Sequence, residues 1–241
     1  MSAPLWNKKL NCPFCNHEFE TTRLRTSAIR VKEKHTDFGC IYEGDSPYIY
    51  AITACPKCTV AARNEEFEKF NGAYEPKLME VSKKLRDSAS KPDVFALGDS
   101  TVELGVRRHE LAIAMHKYRA HSDSGELAGL WLHVAWIWRS AGNAEKEKPA
   151  LAAASAAYKE FFEKGSRLPE KLGEPGVLYL IGELQRRMGE PKEARIYFGR
   201  ALVSKELEAF PNIENMLREG MLRAKEEQEK QGPPTGSGQA H

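Results

Sequence analysis

Four cysteines near the start of the chain repeat one spacing, Cys12-Pro-Phe-Cys15 and Cys55-Pro-Lys-Cys58. Two residues between thiols let one tight turn present both sulfurs to a single ion. Two such turns complete a tetrahedral four-sulfur site with metal–sulfur distances of about 2.3 Å. A proline inside each turn suits a rigid knuckle. The expected ligands are therefore Cys12, Cys15, Cys55 and Cys58, holding one structural Zn2+ per chain. A metal saturated by four thiolates keeps no open position to activate water, so zinc hydrolase chemistry is not expected of it.

The stretch from Cys15 to Cys55 is longer than the common spacing of paired knuckles, with room for a hairpin and an insertion. The pattern resembles a zinc ribbon, in which short antiparallel strands bring two knuckles together. A rival reading is redox chemistry, since Cys12-Pro-Phe-Cys15 is locally similar to the active dithiol of glutaredoxins. That dithiol follows a strand and opens a helix. Here no βαβ pattern follows, and a second pair matches the first. Cys40 is left over. It reads as a buried, apolar-behaving thiol, with replacement of a ligand or response to oxidants as its other roles. His17 and His35 are the candidates for a three-cysteine, one-histidine site.

The elements that must position these residues are small. The stretches 22–34 and 48–53 have β-type composition, and 36–47 carries turn residues. Residues 1–62 thus read as a β-rich, zinc-ribbon-like metal-binding module, of a size that often needs a metal to fold. Alternation puts Arg23 and Arg25 on one strand face, and Arg30, Lys32 and Lys34 on another. Such a basic strand can touch nucleic acid. The interleaved Glu18, Glu20, Glu33 and Asp37 favour a solvated face instead.

From residue 61 the chain reads as helices: short ones at 63–70 and 77–88, then 102–121, 127–141, 144–164, 176–188, 192–210 and 212–231. Residues 63–231 form the expected helical domain, and 232–241 has the composition of a disordered tail. The segment Leu180–Leu202 places Gly182, Gly189, Ala194, Phe198 and Ala201 as a tetratricopeptide (TPR) repeat does. There small residues let two antiparallel helices approach, a glycine ends the first, and an aromatic fills the gap. Trp131, Ala135, Trp138 and Gly142 repeat the first-helix pattern, although Glu147 stands where the second helix wants a small residue. Leu111–Ala120 resembles a lone second helix. The fold class expected is mainly α, a TPR-like α-solenoid of antiparallel helix pairs behind the β-rich module. A solenoid of this kind exposes a concave face lined by first helices. On one of these, Arg186 and Arg187 are the candidate partner-binding residues, because guanidinium forks pair bidentately with carboxylates.

Composition excludes other classes. With 41% hydrophobic and 29% charged residues the chain is not mostly disordered. A net charge of +2, from 36 basic and 34 acidic residues, gives no global field for nucleic acid or lipid. The most apolar window, Leu127–Trp138, is too short for a membrane span. The first ten residues lack the apolar stretch of a secretory signal, so a cytoplasmic protein is expected. His109-Glu110 begins like the HExxH metalloprotease motif, but Ile113 takes the second histidine's place; His109 and His116, seven apart, are a weak second pair. Phosphate-loop, dinucleotide and nucleophile-elbow motifs are absent.

The arrangement as a whole resembles a bacterial family known as domain of unknown function 2225. That family combines a CPxC knuckle, a segment like His35-Thr36-Asp37-Phe38, a second CPxC knuckle and TPR-like helices. The matching residues are Cys12–Cys15, His35–Tyr42 with Cys40, Cys55–Cys58 and Leu178–Leu202. One departure is Gly39, which separates Cys40 from Phe38. The resemblance implies a cytoplasmic bacterial protein and supplies architecture rather than an activity. The function expected is a non-enzymatic protein–protein interaction adaptor that takes a protein or peptide in the TPR-like groove, with no membrane role. The alternatives are a nucleic-acid-associated factor using the basic strand, and a CxxC thiol redox protein.

Overall fold

The computed structural model describes residues 4–69, 95–118, 124–165 and 168–231. The helix expected at 77–88 and the tail 232–241 lie outside the described residues. The N-terminal region is built from three antiparallel hairpins. Strand β1 (Leu5–Asn11) pairs with β2 (Glu18–Leu24), β3 (Val31–Lys34) with β4 (Cys40–Tyr42), and β5 (Ile52–Ala54) with β6 (Ala61–Arg63). In the first hairpin Leu5 lies opposite Leu24 and Asn11 opposite Glu18. In the third, Ile52 lies opposite Arg63 and Ala54 opposite Ala61. The turns left over are residues 12–17 and 55–60. Each CPxC motif is therefore the loop of its own hairpin, which is why one turn can hold two thiols in place.

Three local expectations change. Strand β1 was not legible: Leu-Trp-Asn-Lys-Lys-Leu-Asn lacks the apolar alternation of a half-buried strand, and it is held by ladder bonds to β2. Residues 48–50 belong to a 3-10 turn, Pro47–Tyr50, rather than to a strand. Pro47 sits at its first turn, where a missing N–H costs nothing. Ala61–Arg63, expected to begin the helices, turns back across the second knuckle as β6.

Seven α-helices are present among the described residues: α1 (Asn64–Lys69), α2 (Val102–His116), α3 (Ser124–Ser140), α4 (Ala144–Glu163), α5 (Gly173–Arg187), α6 (Pro191–Leu202) and α7 (Pro211–Gln231). The chain is mainly α with a small β-rich N-terminal region. Thr101 caps α2 by accepting a hydrogen bond from the Leu104 N–H at 3.2 Å. Helices α3 and α5 end alike, on Gly142 at φ 69° and Gly189 at φ 87°. In each case the next N–H reaches back to a helix carbonyl: Asn143 to Trp138 and Glu190 to Gln185, both at 3.0 Å. That closure needs a left-handed residue, which glycine supplies without strain.

The chain divides into two compact units, Met1–Ala157 and Tyr158–His241; the sequence boundary at residue 62 falls inside the first. In the second unit α5 and α6 cross at Gly182. A Cβ there would stand 2.6 Å from the Phe198 ring and 3.1 Å from the Ala194 carbonyl. Ala194 and Phe198 are fully buried, as the small-residue pattern of the helix pair requires. No helix among the described residues is long and apolar enough to cross a membrane.

Candidate metal centre

The two knuckles are backbone copies of one another. The Cys12 N–H donates to the His17 carbonyl at 2.9 Å, and the Asn16 N–H to the Cys12 carbonyl at 2.9 Å. In the second knuckle the Cys55 N–H donates to Val60 at 2.9 Å, and Thr59 to Cys55 at 2.8 Å. Both turns need a left-handed residue just after the second cysteine, at Asn16 (φ 54°) and Thr59 (φ 58°). Asparagine visits that region readily. A β-branched threonine does so at a cost of about 1–3 kcal/mol, so the surroundings must hold Thr59, which is fully buried, in place.

The turns bring all four sulfurs to within 4.8 Å of one another. Across the knuckles Cys12 Sγ lies 3.6 Å from Cys58 Sγ, and Cys15 Sγ 3.7 Å from Cys55 Sγ. A disulfide needs about 2.05 Å, so these are not bonded pairs. A tetrahedron with metal–sulfur bonds of about 2.3 Å has edges of about 3.8 Å. The two cross-knuckle separations match such an edge, and the four sulfurs together could hold one ion. Cys12, Cys55 and Cys58 are buried, and Cys15 is half-buried. Hydrogen bonds from Cys55 and then Cys58 pull the Cys12 thiol down to about 2. The same contact with Cys12 pushes Cys55 up to about 12 and Cys58 higher still. A divalent ion held here would favour all four as thiolates.

The core around the sulfurs joins the knuckles to the helices. Phe19, Val60, Ala62, Phe67 and Met115 are buried against the cysteines, with Leu10, Phe14 and Tyr118 at the margin. Met115, on the last turn of α2, is completely buried. The cysteine cluster and the first long helix thus belong to one core.

A second set of contacts is built on the His35–Tyr42 segment. Asp37 is completely buried. Arg139, on the last turn of α3, forks onto it with Nη1–Oδ1 at 2.8 Å and Nη2–Oδ2 at 2.6 Å. Trp136 Nε1 donates to Oδ2 at 3.1 Å, and the Gly39 N–H to Oδ1 at 3.3 Å. Arg139 also donates from Nε to Glu147 at 2.8 Å. This explains Gly39: a Cβ there would stand 2.5 Å from the Trp136 indole. It also explains Glu147, which departs from the repeat pattern to hold Arg139. Cys40 is half-buried, with Sγ 3.9 Å from the Phe38 carbonyl.

The family model described as "Uncharacterized protein conserved in bacteria (DUF2225)" matches residues 5–223. The chain belongs to the DUF2225 family. It is also 26% identical over 163 residues to a protein of Borreliella burgdorferi (strain ATCC 35210 / DSM 4680 / CIP 102532 / B31) that carries the name "Uncharacterized protein". The match covers 59% of this chain and 54% of the relative, so the chain spans about half the length of the curated relative it matches. No solved structure matches the chain.

The remaining expected residues fall elsewhere. The grouped donors do not include His17, His35 or Cys40. His17 stacks on Phe19, and His35 Nδ1 lies 3.5 Å from Glu33. Arg23 donates to Thr53 at 2.9 Å and Glu68 at 3.1 Å, and Arg30 folds onto the carbonyls of Ser27 and Ile29. His109 and His116 do not meet. His109 Nδ1 donates to the Gly105 carbonyl at 2.8 Å and its Nε2 faces His133, whereas His116 lies 3.4 Å from Glu126. Arg186 and Arg187 both serve Glu183, a completely buried carboxylate. Arg186 grips it through Nε and Nη2, each at 2.8 Å, and also pairs with Glu227; Arg187 Nε adds a contact at 2.9 Å. Its spacing of three and four residues from two arginines is the sequence sign of this pairing.

Proposed function

We propose that this chain is a zinc-stapled, non-enzymatic interaction protein of the bacterial cytoplasm, an adaptor whose TPR-like helices take a protein or peptide partner. One observation carries the metal half of the reading: four mutually adjacent sulfurs, spaced as the edges of one tetrahedron. Four soft thiolates suit zinc and leave it no free coordination position. Cys12, Cys15, Cys55 and Cys58 would hold the ion, and its contribution is to staple two hairpins that share little else but a small core. The adaptor half is supported by the close crossing of α5 and α6 at Gly182 and by the glycine closures of α3 and α5.

Cobalt substitution tests the reading. Co2+ exchanged into the purified chain is expected to give the strong d–d and thiolate charge-transfer bands of a tetrahedral four-sulfur centre. Cyanide or azide at high concentration should leave those bands unchanged. A spectrum that shifts with added anion would reveal an open position and contradict a purely structural site. A reversible Cys12–Cys15 disulfide that forms with release of the metal would favour the redox alternative.

A further inference from the structure

The outer face of α6, in the second compact unit, brings two cations together with two exposed aliphatic side chains. Helical spacing explains the grouping. Ala194, Phe198 and Ala201 put one side of α6 into the core. Ile196, Arg200 and Val203, spaced four and then three residues apart, fall on the opposite side. Ile196 is 55% exposed, and Val203, the residue that follows the helix, 82%. With Leu222 they are the large hydrophobic side chains exposed among the described residues of this unit.

The cations of this face rest on aromatic rings rather than on acids. The Arg200 guanidinium lies over Phe162, on the last turn of α4, at 5.3 Å, and over Tyr197 at 5.5 Å. Lys159 Nζ lies over the same Tyr197 ring at 5.0 Å. Neither cation has a carboxylate at ion-pair distance among the described residues, and Glu160, the acid next to Lys159 in sequence, pairs with Lys164 instead. The other described arginines of this unit have a carboxylate or amide partner, as Arg195 has Gln228 and Arg218 has Glu214. Arg200 is the exception, and it stands between two exposed aliphatic residues. A ring beneath a cation holds its long side chain in place, so less rotamer freedom is lost when a carboxylate arrives.

We propose that this face docks an acidic, amphipathic segment of a partner protein, with its carboxylates on Arg200 and Lys159 and its apolar side chains on Ile196 and Val203. The proposal rests on the adaptor reading and gives it a surface. Charge decides the kind of partner. Two ring-held cations without an acid of their own, beside aliphatic side chains, complement a sequence that mixes acids with apolar residues. Ile196 to Val203 spans about 10 Å, two helical turns, so a short segment covers it. A chain of phosphates fits less well. It needs a run of cations, it gains nothing from Ile196 and Val203, and the exposed Glu163 and Glu193 at the margin repel it. An anionic bilayer meets the same two acids.

A phage-displayed library of random twelve-residue peptides, panned on the full zinc-loaded chain, tests it, with fluorescence anisotropy of the enriched peptides as the readout. Those peptides should be net acidic, carry aliphatic or aromatic residues, and bind one to one. Lys159→Glu/Arg200→Glu should weaken them by about a hundredfold, roughly tenfold for each lost charge-assisted pair. Ile196→Ser should weaken them by about fivefold. Lys148→Glu, about three turns away on α4, is the charge-matched control and should change nothing. Thermal melts check that each variant folds. If the double variant does not, Arg200→Gln and Ile196→Ser decide by the same readouts. Phosphatidylglycerol vesicles and a twelve-nucleotide single-stranded RNA are the competing probes. The proposal is overturned if no peptide is enriched, if the enriched peptides are not acidic, or if vesicles or RNA bind more tightly than any peptide and the double variant abolishes that binding. Peptides that bind wild type and double variant alike also overturn it, but leave the adaptor reading standing with its site elsewhere.

Discussion

Replacing Asp37 with alanine should be among the most damaging single changes away from the cysteines. The carboxylate is completely buried and accepts hydrogen bonds from Arg139 at 2.8 and 2.6 Å, from Trp136 at 3.1 Å and from Gly39 at 3.3 Å. Its loss leaves the Arg139 guanidinium, only 10% exposed, without its main counter-charge. Breaking a buried ion pair from one side costs about 3–5 kcal/mol. Glu147 stays on Arg139 at 2.8 Å and compensates in part, which places the expected loss near the lower end, about 3 kcal/mol. For a chain of this size that is about 6–12 °C in melting temperature. Urea denaturation of wild type, Asp37→Ala, Arg139→Met and the double mutant measures it. The two single changes should couple by about 2 kcal/mol, so the double mutant is less destabilised than the sum of the singles. An Asp37→Ala loss below about 1 kcal/mol, or strictly additive singles, would refute the claim that this pair ties the second hairpin to α3.

Three further outcomes are expected of the same fold. Gly182→Leu should destabilise the chain by about 1–3 kcal/mol or more in a thermal melt, because even a Cβ meets Phe198 at 2.6 Å; an unchanged melting temperature would contradict the close crossing of α5 and α6. Acid should weaken the fold through His109, whose pKa burial pushes down to about 4. The unfolded chain takes up that proton below about pH 6.5 and the folded chain only near pH 4, so stability falls as pH drops through that window, by up to about 3 kcal/mol. His109→Gln should flatten the dependence, and equal pH slopes in wild type and variant would count against it. Metal chelation should expose the knuckles and the C-terminal end of α2 to hydrogen exchange, since Met115 packs on the cysteines, while α5 to α7 keep their protection. Loss of protection in α5 to α7 at the same chelator concentration would contradict this separation.

What could be read from sequence divides by the range of the interaction. The grouping of the four cysteines was legible because a CxxC turn encodes its geometry locally. The helix pair was legible because Gly182, Ala194 and Phe198 imprint a close crossing on a short stretch. Strand β1 was not, because its polar residues carry no alternation and only its partner β2 makes it a strand. The Asp37–Arg139 pair spans 102 positions, and nothing local to an aspartate in a turn announces an arginine that far along the chain. Glu183 lies only three and four residues from Arg186 and Arg187, but that spacing alone does not show that the carboxylate is buried.

The most direct test of the metal centre is elemental analysis of the chain purified under reducing, zinc-replete conditions, beside a Cys12→Ser/Cys55→Ser variant. About one zinc per chain in the wild type and a near-complete loss in the variant is the result predicted by four sulfurs within 4.8 Å. Wild-type protein that stays free of zinc under those conditions, or a variant that retains it in full, would contradict the four-cysteine site.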